Sequence, residues 1–299
     1  MKVYTLSEYL RKEYGCKVYK LSLNAGCTCP NRDGKISTGG CTFCSAGGSG
    51  DFAPDFVSIE KQIEEAKKLV DSKFPKKMAA TERKYIAYFQ SFTNTYGNPE
   101  RLRGIFMEAI SRPEIAVLSI GTRPDCLEPE IMSVLQDLNQ IKPVWVELGL
   151  QTIHEKTAFL VNRGYSLPVF EDAYRRLKES GLKVIVHVIL GLPGERESEM
   201  LETVAWLSKL NPVLDGIKLQ MLHVLKGTAL AVQYEKEPFH IFTLEEYCAL
   251  LVKCLRLLPP ETVVHRITGD GPNKLLVAPL WSGNKKLVLN TINAAVRKS

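Results

Sequence analysis

Long hydrophobic segments are missing from this 299-residue chain. No uninterrupted apolar run approaches the ~20 residues that a membrane-spanning helix needs. Residues 1–15 carry charges throughout and lack the apolar stretch of a secretory signal. Low-complexity tracts are absent, as are internal repeats of roughly 20–50 residues, which excludes a repeat architecture. We therefore expect a cytoplasmic protein with no part in a membrane.

The chain also has no large excess of either charge. Lys and Arg number 39 and Asp and Glu number 33, so the formal net charge is +6. Hydrophobic residues make up 45% and charged residues 24%, which is ordinary for a globular protein and excludes a disordered one. A surplus of this size fits a protein that binds phosphate groups, and it fits a solvated surface equally well.

Short apolar runs alternate with helical patterns along the first 222 residues. Ser58 as an N-cap, Pro99 and Pro129 as first-turn residues and Gly181 as a stop signal mark the helices. Parallel strands need crossover helices, so the pattern predicts an α/β fold whose parallel sheet is doubly wound or curled into a barrel. In both cases the active site is expected at the carboxyl ends of the strands. The six predicted strands are Lys17–Leu23, Lys84–Gln90, Ile115–Ile120, Val144–Gly149, Lys183–Leu190 and Gly216–Leu222.

The regular alternation ends after residue 222. Thr243 and Glu246 form the T-x-x-E pattern of a capping box ahead of a helix to about Leu258, and Thr262–Thr268 is a β-like run. We therefore divide the chain into a core of residues 1–222 and a C-terminal α/β extension of residues 223–299. The extension is expected to close the mouth of the core.

Cysteine is the residue type whose placement is unusual. Eight are present, and four of them fall within eighteen residues: Cys27, Cys29, Cys41 and Cys44. In a reducing compartment such crowding indicates a metal site and not disulfide bonds. Three cysteines on one glycine-rich loop suit an iron–sulfur cluster with one iron left without a protein ligand. Cys27 as a fourth ligand would suit a structural zinc ion instead, and a thioredoxin-type redox pair is a poorer match because it needs no third cysteine.

The spacing of these cysteines resembles the cluster loop of the radical S-adenosylmethionine (SAM) superfamily. The pattern is C-x(11)-C-x-x-C with Phe43 inside the final pair, which is longer than the superfamily's commonest C-x(3)-C-x-x-C and similar to the elongator catalytic subunit. Cys27 departs from the resemblance, because a Phe is expected there. Three strings resemble the bacterial YtqA/YhcC-type members, and the match runs over nearly the whole chain: Ala25–Gly34, Tyr88–Tyr96 and His265–Asp270.

The resemblance implies a partial TIM barrel, a (βα)6 radical SAM core whose iron–sulfur loop spans residues 27–50. Cys29, Cys41 and Cys44 would hold a [4Fe–4S] cluster, and SAM would bind the remaining iron. Arg163 could form a two-pronged bond to the SAM carboxylate, and a charged Glu147 within an apolar strand needs partners. The residues implied to contact SAM follow the cysteine pair or the strand ends: Phe43, Gln90, Ser91, Asn94, Arg123, Glu147, Gln151, Arg163, Gly191 and Leu192.

The same resemblance implies an enzyme that removes a hydrogen atom from its substrate. Transfer RNA (tRNA) is the expected partner, and a flavodoxin- or ferredoxin-type protein is the expected electron donor. The expected reaction converts 5-carboxymethylaminomethyl-(2-thio)uridine at the wobble position to 5-aminomethyl-(2-thio)uridine. A small-molecule substrate and a non-catalytic, zinc-stabilised RNA-binding protein are the alternatives.

No residue is assigned to donate or accept the hydrogen. Basic residues that could meet RNA phosphates include Arg32, Lys35 and Lys286, and Tyr96 or Trp281 could stack on an extruded base. His187 is interpreted as a satisfied core histidine. The residues expected to meet the substrate lie in the C-terminal extension: Lys226, His265, Arg266, Thr268, Asp270, Trp281 and Lys285.

Overall fold

The structure is a computed structural model that describes residues 1–48, 50–51, 53–54, 56–269 and 271–298. No helix in these ranges is both long and apolar enough to cross a membrane. The strands are β1 (Val18–Leu23), β2 (Lys84–Phe89), β3 (Ile115–Thr122), β4 (Val144–Gln151), β5 (Lys183–Leu190), β6 (Gly216–Met221), β7 (Val224–Leu225), β8 (Val263–Arg266) and β9 (Leu276–Ala278). The α-helices are α1 (Leu6–Tyr14), α2 (Ile59–Val70), α3 (Pro99–Ile110), α4 (Pro129–Asn139), α5 (Glu155–Leu160), α6 (Leu167–Glu179), α7 (Glu197–Leu207), α8 (Ala229–Lys236), α9 (Leu244–Leu257) and α10 (Lys285–Lys298).

Seven parallel strands form the main sheet in the order β1-β2-β3-β4-β5-β6-β8. Side chains from distant strands touch, because Lys20 of β1 and Lys218 of β6 both reach Glu147 of β4. In a flat sheet, three strand spacings of ~4.8 Å each would separate β1 from β4. The sheet is therefore curled into a partial barrel, as the α/β prediction allowed.

The open side of the barrel lies between β1 and β8. Val264 N donates to Tyr4 O at 2.8 Å, and Thr5 forms a parallel bridge with Val264. Helix α1 follows directly and packs against β1 and β8. This segment covers the edge of β8, whose backbone groups would otherwise be available to pair with another chain.

All six predicted strands are present. The β-like run Thr262–Thr268 contains β8, which adds a seventh strand beside β6, so the C-terminal portion contributes to the same sheet. The predicted helix starts are confirmed: Ser58 Oγ accepts from Lys61 N at 3.3 Å, and Thr243 and Glu246 form the capping box. The sequence pattern did not predict α1, α5, α8 or α10.

Alternation along the strands decides which side chains reach the inside of the barrel. Val184, Val186 and Val188 of β5 belong to the main hydrophobic core. His187 lies between Val186 and Val188, and Ile189 follows Val188; both line a cavity on the other face of the sheet. Successive side chains of a strand point to opposite faces, so one set packs under the helices and the other is available for chemistry.

Candidate active site

A cavity of about 240 Å³ opens at the carboxyl ends of the strands. Its wall comes from the described part of the cysteine loop (residues 27–50), the later positions of β2 to β6, and parts of residues 221–225 and 266–271. A parallel sheet brings the carboxyl ends of all its strands to one edge, and the active site was predicted at that edge.

Three cysteines of the loop lie on one wall of this cavity: Cys29, Cys41 and Cys44. A tight turn joins the last two, with Cys44 N donating to Cys41 O at 3.0 Å. Burial, with the thiols of Cys44 and Cys29 acting in the same direction, raises the pKa of Cys41 to about 12. A cationic iron centre among these thiols would reverse that effect and hold them as thiolates.

The cysteine loop is fastened to the connection that follows β4. The fully buried Asn31 donates from Nδ2 to Asn162 O at 2.6 Å. Asn162 in turn donates from Nδ2 to Gly40 O at 2.7 Å, and Thr42 N donates to Val161 O at 2.9 Å. Asn162 has a φ of 53°, a left-handed conformation that asparagine adopts more readily than most residues. Sequence reasoning did not single out either asparagine.

Arg32 stabilises the cysteine loop by hydrogen bonds to backbone carbonyls of the same loop. Its guanidinium donates to Cys44 O at 2.9 Å and to Ser45 O at 2.5 Å. A Cβ at Gly40 would come within 2.8 Å of Arg32 Nε, and Gly40 has a φ of 74°, so the close approach requires glycine. The sequence suggested a phosphate contact for Arg32, and the structure places its guanidinium on the carbonyls of the loop.

Cys27 lies apart from the other three cysteines of the loop. Its Sγ is 4.0 Å from Ala25 O, and the side chain packs against the main hydrophobic core. Burial raises the pKa of its thiol. Among the described residues, no group of histidine, cysteine or carboxylate side chains is arranged around one common metal-ion position. Cys27 is not part of the cavity wall that the other three share.

Deeper in the barrel, charged side chains from different strands meet around the buried Glu147. Its carboxylate accepts from Lys20 Nζ at 2.5 Å, Ser119 Oγ at 2.8 Å and His187 Nε2 at 2.9 Å. Lys218 Nζ also contacts it, and Lys218 donates to Tyr88 Oη at 3.0 Å. We call Lys20, Tyr88, Glu147, His187 and Lys218 the barrel floor. The sequence indicated that Glu147 needs partners but did not identify the two lysines.

The barrel floor has more cationic than anionic groups. Burial alone would raise the pKa of Glu147, but Lys20 and Lys218 hold it well below its usual range. Burial lowers the pKa of His187 to about 4, so its ring is neutral at pH 7. The ring of Tyr88 lies 4.4 Å from Lys20 Nζ and 4.6 Å from Lys218 Nζ, which adds a cation–π contact to each lysine. Two lysine side chains therefore share one carboxylate.

Comparison with known proteins identifies the family. A profile described as the Radical SAM superfamily matches residues 29–207, and one described as the Radical_SAM C-terminal domain matches residues 214–298. The chain belongs to the radical SAM superfamily. It is 43% identical over 291 residues to the uncharacterized protein YtqA of Bacillus subtilis, which covers 97% of this chain and 88% of YtqA. It is 38% identical over 277 residues to the protein YhcC of Escherichia coli, and the match covers 92% of this chain and 86% of YhcC.

The fold comparison agrees with this family. The archaeal Elp3 of Methanocaldococcus infernus has a TM-score of 0.65 with this structure at 19% sequence identity. The similarity covers 93% of this chain, which spans only 63% of that protein. At this identity the likeness concerns the fold alone, and it confirms the predicted partial TIM barrel.

As a radical SAM protein, the chain is an enzyme that uses a [4Fe–4S] cluster and SAM. The residues present fit both groups, because three thiols share one cavity wall and Phe43 lies on the same wall. Phe43 also packs against the apolar patch that contains Leu192 and Leu222. The family therefore favours the iron–sulfur cluster over the zinc alternative.

Five of the residues implied to contact SAM line the cavity: Phe43, Gln90, Arg123, Glu147 and Gln151. Gln151 has a φ of 66° and its Oε1 accepts from Tyr165 Oη at 2.9 Å. Non-glycine residues in this region of backbone space are strained, and such strain is often found at functional sites. Tyr165 also lines the cavity, although the sequence did not mark it as a site residue.

The other five lie outside the cavity lining. Asn94 is fully buried and donates to Phe89 O at 3.1 Å and Gly121 O at 3.0 Å, which joins the ends of β2 and β3. Ser91 is buried, and a Cβ at Gly50 would overlap it. The remaining three are Arg163, Gly191 and Leu192, of which Leu192 belongs to the apolar patch beside Phe43.

Arg123 and Arg163 both lie over the ring of Tyr165, but their guanidinium groups have different hydrogen-bond partners. Arg163 is 1% exposed and donates to the carbonyls of Leu150 at 3.0 Å and Thr152 at 2.6 Å, so it supports the end of β4. Arg123 lines the cavity and forms a two-pronged bond with Asp125 at 2.9 and 2.7 Å. The charge of Arg123 acts to lower the pKa of the Cys41 thiol, against the larger effect of burial.

The residues expected to meet the substrate are dispersed. Arg266 lines the cavity and donates to Gln220 Oε1 at 3.3 Å. His265 lies deeper, with its ring 5.3 Å from that of Trp145. Trp281 Nε1 donates to Phe242 O at 2.8 Å, outside the cavity lining. The remaining positions are Lys226 and Lys285, which are exposed, Thr268, which is half-buried, and Asp270, which lies outside the described residues.

Proposed function

We propose that the protein is a cytoplasmic radical SAM enzyme that acts on tRNA and converts 5-carboxymethylaminomethyl-(2-thio)uridine at the wobble position to 5-aminomethyl-(2-thio)uridine. One observation carries this proposal: the cluster cysteines share a cavity with Lys218 and Arg266. A modified base that ends in a carboxylate would be attracted to those cations while its reactive carbon stayed near the cysteine loop. The resemblance to the YtqA/YhcC-type and elongator-type strings supports the choice of a wobble uridine.

The chemistry of the substrate side chain fits this class of enzyme. When bound, the [4Fe–4S] cluster and SAM would supply a 5′-deoxyadenosyl radical that removes a hydrogen atom from the substrate. One SAM accounts for a two-electron oxidation when the carbon radical that remains gives its electron back to the oxidised cluster. Oxidation of the carbon between the side-chain nitrogen and the carboxylate, followed by addition of water, would release the carboxymethyl unit as glyoxylate. The amine would remain on the uridine. A flavodoxin- or ferredoxin-type protein would deliver the electron that starts the reaction.

The chain's own residues would bind and orient the reactants. Cys29, Cys41 and Cys44 would hold the cluster. Phe43 and the apolar patch beside it would offer a surface to the adenine ring. Arg123, which Asp125 holds in place and which lines the same cavity as the three cysteines, would bind the carboxylate of SAM. Gln151 would donate to the ribose hydroxyls.

RNA would approach from the mouth of the barrel. Lys226 is exposed directly after the cavity-lining Leu225, and Lys35 Nζ lies 5.2 Å from the ring of Tyr96. Exposed lysines bind phosphates and make binding depend on salt. A base within a stem-loop can reach an enclosed site only when it is extruded from its stack. The parts of residues 223–299 that line the cavity, around His223 and Arg266, would border such a base.

Deletion of the gene tests this proposal, with the nucleosides of bulk tRNA measured by mass spectrometry. We expect 5-carboxymethylaminomethyl uridines to accumulate, the wild-type gene to restore the 5-aminomethyl products, and a Cys41→Ser gene to fail to do so. Unchanged nucleosides would rule out the wobble-uridine reaction. Absence of salt-dependent RNA binding as well would favour a small-molecule substrate.

A further inference from the structure

The barrel floor sets two lysines against one carboxylate in a place with little access to water. Lys218 is 2% exposed and Glu147 is 1% exposed. Glu147 is already shared between Lys218 and Lys20, and the neutral His187 offers no negative charge. An ammonium group removed from water is unfavourable unless a counter-charge accompanies it. The floor would therefore be stabilised by one more anion.

Lys218 is the lysine of the floor that faces the cavity. It lines the cavity, whereas Lys20 lies outside the lining. Its register partners on the neighbouring strands are His187 of β5 and Arg266 of β8. These three side chains stand at one level of the barrel and all line the cavity. Two cationic side chains on one level form a ready platform for a planar anion.

The surroundings of Lys218 disfavour its charged form. Burial, together with the charges of Lys20 and Arg266, holds the pKa of Lys218 well below its usual range, although Glu147 acts in the opposite direction. A second carboxylate at the level of Lys218 would favour the ammonium form. Asp51, the other acidic side chain among the described residues of the cavity wall, bonds with both oxygens to Ser45 Oγ on the cysteine loop.

We propose that Lys218 and Arg266 form a subsite for the carboxylate at the buried end of the substrate. The subsite accepts a carboxylate beside a secondary amine, and it rests on the proposed function for the identity of the molecule that carries them. It fixes the carboxylate at the floor, so that the carbon next to it lies between the floor and the cysteine loop. The subsite thus selects which carbon of the substrate is presented to the cofactors.

The carboxylate of SAM belongs to a different part of the cavity. Arg123 follows the carboxyl end of β3, whereas Lys218 lies within β6 and contacts Glu147 of β4. The two cationic groups therefore stand at different depths of the barrel. An RNA backbone phosphate is also a poor match to the floor, because the phosphate would have to enter a cavity of about 240 Å³ together with its two ribose neighbours.

A matched pair of small ligands tests the subsite directly. Sarcosine carries a secondary amine and a carboxylate, and sarcosinamide replaces the carboxylate by a neutral amide. Each is titrated into the anaerobically reconstituted holoprotein with SAM present and without reductant, and binding is followed by ligand-observed NMR. We expect sarcosine to bind roughly tenfold more tightly than sarcosinamide. Equal affinities would overturn the proposal, and so would tighter binding of inorganic phosphate than of sarcosine.

Variants assign the preference to Lys218. Lys218→Met should abolish the preference, Lys218→Arg should keep most of it, and Lys77→Met, which removes an exposed charge before β2, should leave it unchanged. The affinity for SAM should change less than about twofold in Lys218→Met. Retention of the preference in Lys218→Met would overturn the assignment, as would loss of SAM binding, because the lysine would then serve the cofactor.

The outcome separates this inference from the proposed function. A carboxylate preference with unchanged tRNA nucleosides in the deletion strain would leave the subsite in place and remove tRNA as its substrate. Changed nucleosides without a carboxylate preference would leave the tRNA reaction in place and remove the subsite.

Discussion

Asn31 Nδ2 lies 2.6 Å from the carbonyl oxygen of Asn162, a residue 131 positions later in the chain. The bond ties the cysteine loop, which follows β1, to the connection that follows β4. The backbone hydrogen bonds within the loop form local turns, such as Arg32 N to Cys29 O and Cys44 N to Cys41 O. The position of the loop relative to the cavity therefore depends on long-range bonds such as that between Asn31 and Asn162. Both asparagines therefore act on the cluster through the loop and not as ligands.

Replacement of Asn162 by Ala should weaken retention of the iron–sulfur cluster. The variant loses the bond to Gly40 O and keeps a left-handed backbone that alanine disfavours, each worth about 1–2 kcal/mol. Iron and sulfide content and the rate at which the absorbance near 400 nm fades in air measure the effect. Asn162→Gly loses the same bond to Gly40 O but tolerates the left-handed backbone, so it should fall between wild type and Asn162→Ala. Equal fading in all three proteins would contradict the structural role.

Replacement of Glu147 by Gln should destabilise the protein strongly. The change leaves Lys20 and Lys218 buried without their shared carboxylate, and breaking a buried ion pair on one side costs about 3–5 kcal/mol. Urea denaturation of the anaerobic protein, followed by circular dichroism, gives the free energy of unfolding. Glu235→Gln removes an exposed carboxylate and should change it by less than about 0.5 kcal/mol. A similar loss in both variants would argue against the ion-pair account.

Stability should fall as the pH drops from 6.5 towards 5. The pKa of His187 is about 4 in the folded protein and 6.5 as its ordinary value, so the unfolded chain binds more protons between these limits. The loss amounts to about 2 kcal/mol at pH 5, relative to pH 7. Urea midpoints at several pH values measure it. His187→Gln should flatten the pH dependence over this range, and an unchanged slope would show that His187 is not its source.

Cys27→Ala should bind as much iron as the wild type. The Cys27 side chain packs against the hydrophobic core, and its Sγ lies 4.0 Å from Ala25 O. Cys29→Ala is the matched control on the same loop and should lose the cluster. Iron and sulfide analysis after anaerobic reconstitution distinguishes the two. Loss of iron in Cys27→Ala to the level of Cys29→Ala would restore Cys27 as a ligand.

The architecture followed from patterns that are local in sequence. Apolar runs, first-turn prolines and the Thr243–Glu246 capping box identified the six strands and most of the long helices. Helix α1 was missed although Thr5 and Glu8 repeat the same capping pattern, because no strand precedes it to set the expected alternation. The alternation of apolar runs and helical patterns is the same in open and in closed parallel sheets. The sequence pattern therefore could not show whether the sheet curls.

The candidate site could be predicted only in part, because its contacts join distant strands. The cysteine pattern is local in the sequence, and it identified the three cysteines that lie on one wall of the cavity. The partners of Glu147 lie on β1, β5 and β6, so their pairing depends on the curl of the barrel. Lys20 and Lys218 are each a lysine within an otherwise apolar strand, which can be seen in the sequence. Only the structure shows which face of each strand points into the barrel, so the sequence alone could not place the two lysines beside Glu147. The charge of Arg163 led to the expectation that it binds the carboxylate of SAM. In the structure the turn after β4 instead brings its guanidinium to buried backbone carbonyls.

Reductive cleavage of SAM is the measurement that tests the central claim most directly. Reconstituted protein is reduced anaerobically with SAM, and methionine and 5′-deoxyadenosine are quantified by liquid chromatography. Wild-type protein should form both products in equal amounts, and the triple variant Cys29→Ser, Cys41→Ser, Cys44→Ser should form neither. Cleavage by the triple variant at the wild-type rate would contradict the assignment of these three cysteines as the ligands of the cluster.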